Sequence, residues 1–294
     1  MAKRIAFLGL GNMGGAVAAN MMKAGFEVVG YDPSPAAQEA AREAGMAVFD
    51  SPAEAARGAD YVCSSVPRGE HVRDAFLGEK GALLTAKEGA VCFDFSTILP
   101  EESIAVAEEA VSRGFYFLDA PISGNAIIAR DAKIGFMVGG EKEILDAHHA
   151  VLDCACELLD YFGPNGSGLR MKLITNHLVS AQLCALAEGF TLGVKSGLDP
   201  DQMMDYLYSS TVFRVMNTRG RGLRNKEYEP VKFALSLMHK DLGLIREFAR
   251  ANGASSPVID AVGKAYQGAM DMGLGDLDQG VIREWFEREA GLSD

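Results

Sequence analysis

Lys172 and Asn176 stand four residues apart in the run GPNGSGLRMKLITN. On a helix that spacing sends both side chains out of one face, a turn apart. A lysine beside an amide can hold a hydroxyl or carbonyl between them. The lysine gives or takes a proton, and the amide orients the oxygen. A lysine in that role needs its pKa depressed by burial or by neighbouring positive charge. Any solvated helix carries Lys and Asn at such spacings, so the pair gains weight only from its surroundings. Gly166 and Gly168, just upstream, suit a tight turn into the helix.

The surroundings begin at the N-terminus. The apolar run RIAFLGLG (4–11) ends in glycines, and Gly9, Gly11 and Gly14 fit G-x-G-x-x-G. The segment after them reads as a helix closing at Gly25. A second apolar run, FEVVGYD, ends at Asp32, 18 residues beyond Gly14. Strand, glycine turn, helix, strand and acid in that order form a dinucleotide-binding pattern. Gly9 allows the turn, Gly11 lets a pyrophosphate approach the backbone, and Gly14 lets helix pack on strand. The pyrophosphate would rest on the helix N-terminus, covered by the backbone of Asn12 and Met13. Asp32 can accept from ribose hydroxyls and would repel a 2′-phosphate. Pro33, Ser34 and Pro35 follow it, with no arginine, so NAD is expected over NADP.

These residues need a scaffold. Apolar strands alternate with amphipathic helices through the first half, at 47–49, 59–67, 89–96, 115–121, 134–140 and 157–163. Strands separated by helices imply a doubly wound, mostly parallel sheet, with the more closely spaced later strands antiparallel at one edge. Pro100 and Gly114 bracket one intervening helix. From 169 to 196 helical periodicity is sustained without proline, which predicts one helix of about 28 residues, about 42 Å long. Helices are expected at 200–208, 211–223, 231–252, 256–273 and 276–290. The domain reading is therefore a Rossmann-type α/β domain at 1–164, a long connecting helix at 165–196 and an all-helical domain at 197–294. A connecting helix of that length suits a second domain or a second subunit, and a homodimer or homotetramer is expected.

Composition narrows the classes. With 294 residues and 48% hydrophobic content the chain can bury a substantial core. No apolar run reaches transmembrane length, and the start lacks a secretory pattern, so a cytoplasmic protein is expected. A net charge of −12 disfavours nucleic-acid phosphates. The five cysteines, Cys63, Cys92, Cys154, Cys156 and Cys184, lack paired metal spacing and read as buried thiols. No metal site is expected. His148 and His149 are adjacent and point to different faces, and His177 leaves the helix about 100° from Asn176. His71 follows a strand end, where it could approach a cofactor or simply face solvent.

Four runs in order make the chain resemble the β-hydroxyacid dehydrogenase family, to which 3-hydroxyisobutyrate dehydrogenases belong. They are GLGNMGGAVAANMMKAG (9–25), DAPISG (119–124), GSGLRMKLITN (166–176) and HKDLGL (239–244). The resemblance covers essentially the full length. It implies a Rossmann domain, a helical domain and an active site in the cleft between them. It further implies NAD-dependent oxidation of the hydroxyl of a short 3-hydroxy acid, with hydride to NAD and the proton to Lys172. Asn176 would position the substrate. Ser123 and Gly124 would hold its carboxylate, although by themselves they read as a turn. Val66 and Pro67 would lie beside the adenosine and Thr97 at the nicotinamide ribose, unless Thr97 only caps the helix after Pro100. Lys240 would reach the nicotinamide half, or pair with Asp241 at the surface.

The chain departs from the family pattern at Asn125, at Ala132 and Lys133, and at Thr175. Asn125 would add donors and bulk beside the carboxylate. Arg214 falls in a region the family places at the cleft, where it would pair with a second polar group on the substrate; a surface arginine is the other reading. Two rival functions share the scaffold. Imine reductases of the same architecture usually lack the lysine, as do cofactor-binding scaffolds without turnover, and Lys172 counts against both.

Overall fold

The first strand shows how the N-terminal half is built. β1 (Arg4–Leu8) is buried along nearly its whole length. Ile5 and Phe7 enter one apolar cluster with Met21, Phe93 and Phe136, while Ala6 and Leu8 enter a second with Phe76, Cys92 and Phe117. Successive side chains thus feed opposite faces of the sheet, and both faces are covered.

The computed structural model describes residues 2–195, 197–209, 221–253 and 256–292. After β1 come α1 (Asn12–Lys23), β2 (Glu27–Tyr31), α2 (Pro35–Glu43), β3 (Ala47–Val48), α3 (Pro52–Ala56), β4 (Tyr61–Ser64), α4 (Gly69–Leu77), β5 (Val91–Asp94), α5 (Pro100–Ser112) and β6 (Tyr116–Asp119). There follow β7 (Ile122–Ser123), α6 (Ala126–Arg130), β8 (Ile134–Gly139), α7 (Lys142–His148), α8 (Ala150–Asp153) and β9 (Cys156–Gly163). The nine strands form one sheet in the order β3-β2-β1-β4-β5-β6-β8-β7, with β9 also on β8. The first six strands run parallel. β8 is antiparallel to β6 and β7, as expected of the later strands, but β9 lies parallel to β8. The single strand expected at 115–121 stops at Asp119, before Pro121, and resumes as β7; proline cannot donate to a ladder.

α9 runs from Ser167 to Lys195. The chain divides into two compact units within it, one ending at Lys172 and one beginning at Leu173. The second unit also contains α10 (Pro200–Ser209), α11 (Arg221–Asn225), α12 (Leu235–Ala251), α13 (Pro257–Asp271) and α14 (Ile282–Glu289). Its core gathers Leu183, Leu186, Phe190, Met238, Leu242, Tyr266 and Ile282. Most of the helix expected at 211–223 lies outside the described residues. Two expected helices start late for one reason. The Asp278 carboxylate accepts the backbone N–H groups of Lys232, Phe233 and Gly280, each at 3.0 Å. That holds the chain before Leu235 extended and turns the chain at Gln279–Val281 into a short 3-10 turn ahead of α14. Among the described residues no helix is long and apolar enough to cross a membrane. All five cysteines are free thiols; Cys63, Cys92 and Cys184 are buried, whereas Cys154 and Cys156 are only half-buried.

Candidate active site

The glycines at the end of β1 have different jobs. Gly9 has φ +94°, and a Cβ there would sit 2.3 Å from the Ser65 carbonyl oxygen. A Cβ on Gly14 would sit 2.1 Å from the Gly9 carbonyl oxygen. Both positions exclude a side chain. Gly11 has nothing within 4 Å of its ideal Cβ, and it caps α1 without a side-chain hydrogen bond. Asn12 and Met13 open the helix. The result is an open cradle at a helix N-terminus, which suits an anion.

Asp32, at the end of β2, is buried. One carboxylate oxygen accepts the Leu10 N–H at 2.7 Å and the other accepts the Ser34 N–H at 2.8 Å. It therefore pins the glycine loop as well as facing the cavity beside it. That cavity is about 590 Å³, and Gly9, Gly11, Asp32, Val66 and Pro67 all line it. Tyr31, Ser51, His71, Asp74 and Lys80 extend it; of these, only His71 drew notice in the sequence, because its place after a strand end was ambiguous. The open cradle, the pinned acid and the cavity between them fit a dinucleotide.

Thr97 follows β5 and is half-buried. It is not the cap of α5: that position is Leu99, whose N–H donates to Glu102 Oε2 at 3.0 Å. Ser123 and Gly124 are exposed at the end of β7. Gly124 has φ +145°, and a Cβ there would meet Ile134 at 2.8 Å. Asn125 caps α6, its Oδ1 accepting from Ile127 N–H at 2.9 Å and Ile128 N–H at 3.2 Å. Its oxygen is thus committed to the helix, and only Nδ2 lies outside that cap. Ala132, with φ +56°, and Lys133, paired with Asp131 at 3.7 Å, form the turn into β8. Arg214 lies outside the described residues.

The start of α9 is anchored by a residue that the sequence did not single out. Asp119, at the end of β6, is fully buried. It accepts the Gly166 N–H at 2.7 Å and the Leu169 N–H at 3.0 Å. Burial pushes its pKa up, and backbone N–H bonds from Gly166, Leu169 and Gly168 pull it back. Gly168 packs against β8 so closely that a Cβ would sit 2.1 Å from the Met137 carbonyl oxygen. The first turn of the helix is thereby fixed on the sheet, one turn before Lys172.

Lys172 and Asn176 are both buried, at 7% and 6% exposure. Asn176 Nδ2 donates to Asp241 Oδ2 at 2.7 Å. Asp241 Oδ1 lies 2.9 Å from Lys240 Nζ, an ion pair whose angles fall short of a hydrogen bond. The Lys240–Asp241 pair thus exists, but Asp241 is buried and joins Lys240 to Asn176. His177 lines a separate apolar groove with Leu173, Ile245 and Phe248. The signals for Asp119 and Asp241 lay inside DAPISG and HKDLGL, but their bonds to chain segments 47 and 65 residues away were not readable from spacing.

Known proteins resemble the chain over both of its compact units. Residues 4–163 match the NAD binding domain of 6-phosphogluconate dehydrogenase. Residues 166–285 match the NAD-binding model of NADP-dependent 3-hydroxyisobutyrate dehydrogenase. A 3-hydroxyisobutyrate dehydrogenase from Pseudomonas aeruginosa is 36% identical over 261 residues, covering 86% of this chain and 88% of its own. An NAD-dependent L-serine dehydrogenase from the same organism is 31% identical, covering 98% and 99%. The solved structure of Mycobacterium tuberculosis 3-hydroxyisobutyrate dehydrogenase with L-serine superposes with a TM-score of 0.88 at 34% identity, covering 97% of this chain and 99% of that one. The chain belongs to the 3-hydroxyisobutyrate dehydrogenase family and is an NAD(P)-dependent β-hydroxyacid dehydrogenase.

Proposed function

We propose that the protein oxidises the hydroxyl of a short 3-hydroxy acid, 3-hydroxyisobutyrate or a near relative such as L-serine, with NAD. The observation that carries this is the buried pair Lys172 and Asn176 on one face of α9, with Asn176 held by Asp241. The acceptor on Asp241 fixes which end of the Asn176 amide faces it, and so what the amide presents to a substrate. Lys172 Nζ, as the neutral amine, takes the hydroxyl proton as the carbonyl forms. The nicotinamide, when bound, supplies the hydride acceptor. Ser123 and the backbone at Gly124 hold the substrate carboxylate, whose charge the strongly acidic chain as a whole would repel. Both named acids carry a carboxylate and a hydroxyl on the β carbon, so one arrangement serves either.

NAD is preferred over NADP because the cavity presents Asp32, Asp50, Asp74 and Glu79 against the single lysine Lys80. Each Asp32 oxygen accepts one backbone N–H, and a carboxylate has lone pairs left for ribose hydroxyls.

The test is NAD and NADP reduction, followed by absorbance, over a panel of 3-hydroxy acids including 3-hydroxyisobutyrate, 3-hydroxypropionate, serine and glycerate. Turnover of one acid with NAD is expected, with Lys172→Ala lowering kcat by about 100-fold or more. Wild-type turnover in Lys172→Ala would end the proposal.

A further inference from the structure

The ends of β4 and β5 hold a buried carboxylate that no step above uses. Asp94 has no exposed surface. Its Oδ1 accepts three hydrogen bonds, from Ser64 Oγ at 2.6 Å, Ser96 Oγ at 2.6 Å and the Ser96 N–H at 3.1 Å. Its Oδ2 has no partner. Burial raises its pKa to about 6, and Asp119, its register partner on β6, adds to the rise. A buried carboxylate with one orphaned oxygen is costly to keep. What it holds therefore matters.

It holds Ser96. A hydroxyl has one hydrogen to give and two lone pairs to receive with. Ser96 gives its hydrogen to Asp94, which leaves the oxygen to receive, and it accepts the Val66 N–H at 3.0 Å. Val66 stands between Ser65 and Pro67, and all three line the 590 Å³ cavity. Ser65 is also the residue whose carbonyl Gly9 packs against. The line Asp94, Ser96, Val66 thus ends on the cavity wall that packs against the glycine loop. Ser64 makes an equally short bond to the same Oδ1 but does not line the cavity.

We infer that Asp94 is a positioning residue for the cofactor: by orienting the Ser96 hydroxyl it fixes the Val66 N–H and with it the Ser65–Pro67 wall of the dinucleotide cavity. The inference rests on the dinucleotide reading of that cavity. A proton on Asp94 goes to the unpartnered Oδ2, so Oδ1 keeps its three donors in either charge state.

The two serines make the test. In the full chain, Ser96→Ala and Ser64→Ala each delete one 2.6 Å bond to Asp94, but only Ser96→Ala also strips the acceptor from Val66. NADH affinity is read from NADH fluorescence, with Tm and with kcat at saturating cofactor. Ser96→Ala is expected to raise the NADH Kd about 3- to 10-fold, the loss of one hydrogen bond, with kcat within about twofold. Ser64→Ala should lower Tm comparably and leave Kd within about twofold. Asp94→Ala should raise Kd as Ser96→Ala does, and Asp94→Asn, which keeps an acceptor oxygen, should restore most of the affinity. Should Ser96→Ala not fold, Ser96→Cys reads the same link, because sulfur accepts poorly from Val66. A wild-type Kd in the Ser96 variants, or an equal rise in Ser64→Ala, overturns the inference alone. Wild-type protein that leaves NADH fluorescence unchanged overturns the dinucleotide reading and the inference with it.

Discussion

The carboxylate of Asp119 accepts the backbone N–H of Gly166 at 2.7 Å, tying the end of β6 to the residue that opens α9. The second oxygen takes the Leu169 N–H at 3.0 Å. Two of the amides that a helix N-terminus leaves without an intrahelical partner are satisfied by one buried side chain. Asp119→Asn would turn a donor toward one of those amides. The expected loss is about 1–3 kcal/mol of unfolding free energy, read by urea denaturation. Full stability in that variant would mean the helix start is held by packing alone.

Gly168 allows α9 to approach β8. Adding a methyl puts it 2.1 Å from the Met137 carbonyl oxygen, which only a backbone shift can relieve. Lys172 lies one turn further on and would shift with it. A displacement of about 1 Å at a reacting group can cost about 100-fold in rate. Gly168→Ala is therefore expected to lower kcat by about that factor while NADH binding persists, measured by steady-state kinetics beside a fluorescence titration. Loss of both together would point to unfolding of the helix start instead.

Lys240 and Asp241 should be energetically coupled. Asp241 is 3% exposed and Lys240 32%, with 2.9 Å between Nζ and Oδ1. Lys240→Met leaves a buried anion with one partner fewer and should cost about 1–3 kcal/mol, less than for a fully buried pair because solvent reaches the lysine. Combining it with Asp241→Asn removes the charge, so the double variant should lose less stability than Lys240→Met alone. Strict additivity in the thermal melts would refute the coupling.

The burial of Asp94 has a pH signature. Its pKa rises from 3.8 to about 6 on folding. Between those values the native protein binds a proton that the unfolded chain does not, so this group's contribution is in place below 3.8 and is lost as pH rises through about 6. Asp94→Asn has no such proton. The stability of wild type relative to Asp94→Asn should therefore fall as pH is raised from about 5 to about 7.5. The difference cancels the titration of the other acids. Parallel curves for the two proteins would show that Asp94 keeps an ordinary pKa.

Much of this protein was legible in its residues because the deciding relationships are local. Gly9, Gly11, Gly14 and Asp32 lie within one strand–helix–strand unit, and chain order alone puts them around one loop. Lys172 and Asn176 share a face because a helix repeats every 3.6 residues, whatever it packs on. The alternation of strands with helices implied a parallel sheet for the same reason.

The tertiary structure decided which groups hold those residues in place. Asp119 acts on backbone amides at the start of α9, Asp94 on Ser64 of the neighbouring strand and Asp241 on Asn176, partners brought to them by sheet register or helix packing. No spacing along the chain encodes such a meeting. Asp278 likewise reset the ends of two helices by taking three amides that periodicity would have given to them. Asn125 became a helix cap instead of a group free to serve a ligand with both ends of its amide. Short-range pattern specifies which elements form and which side chains they present. A buried carboxylate finds its partners only when the chain has closed around it, because desolvation then leaves those partners as the sole substitute for water.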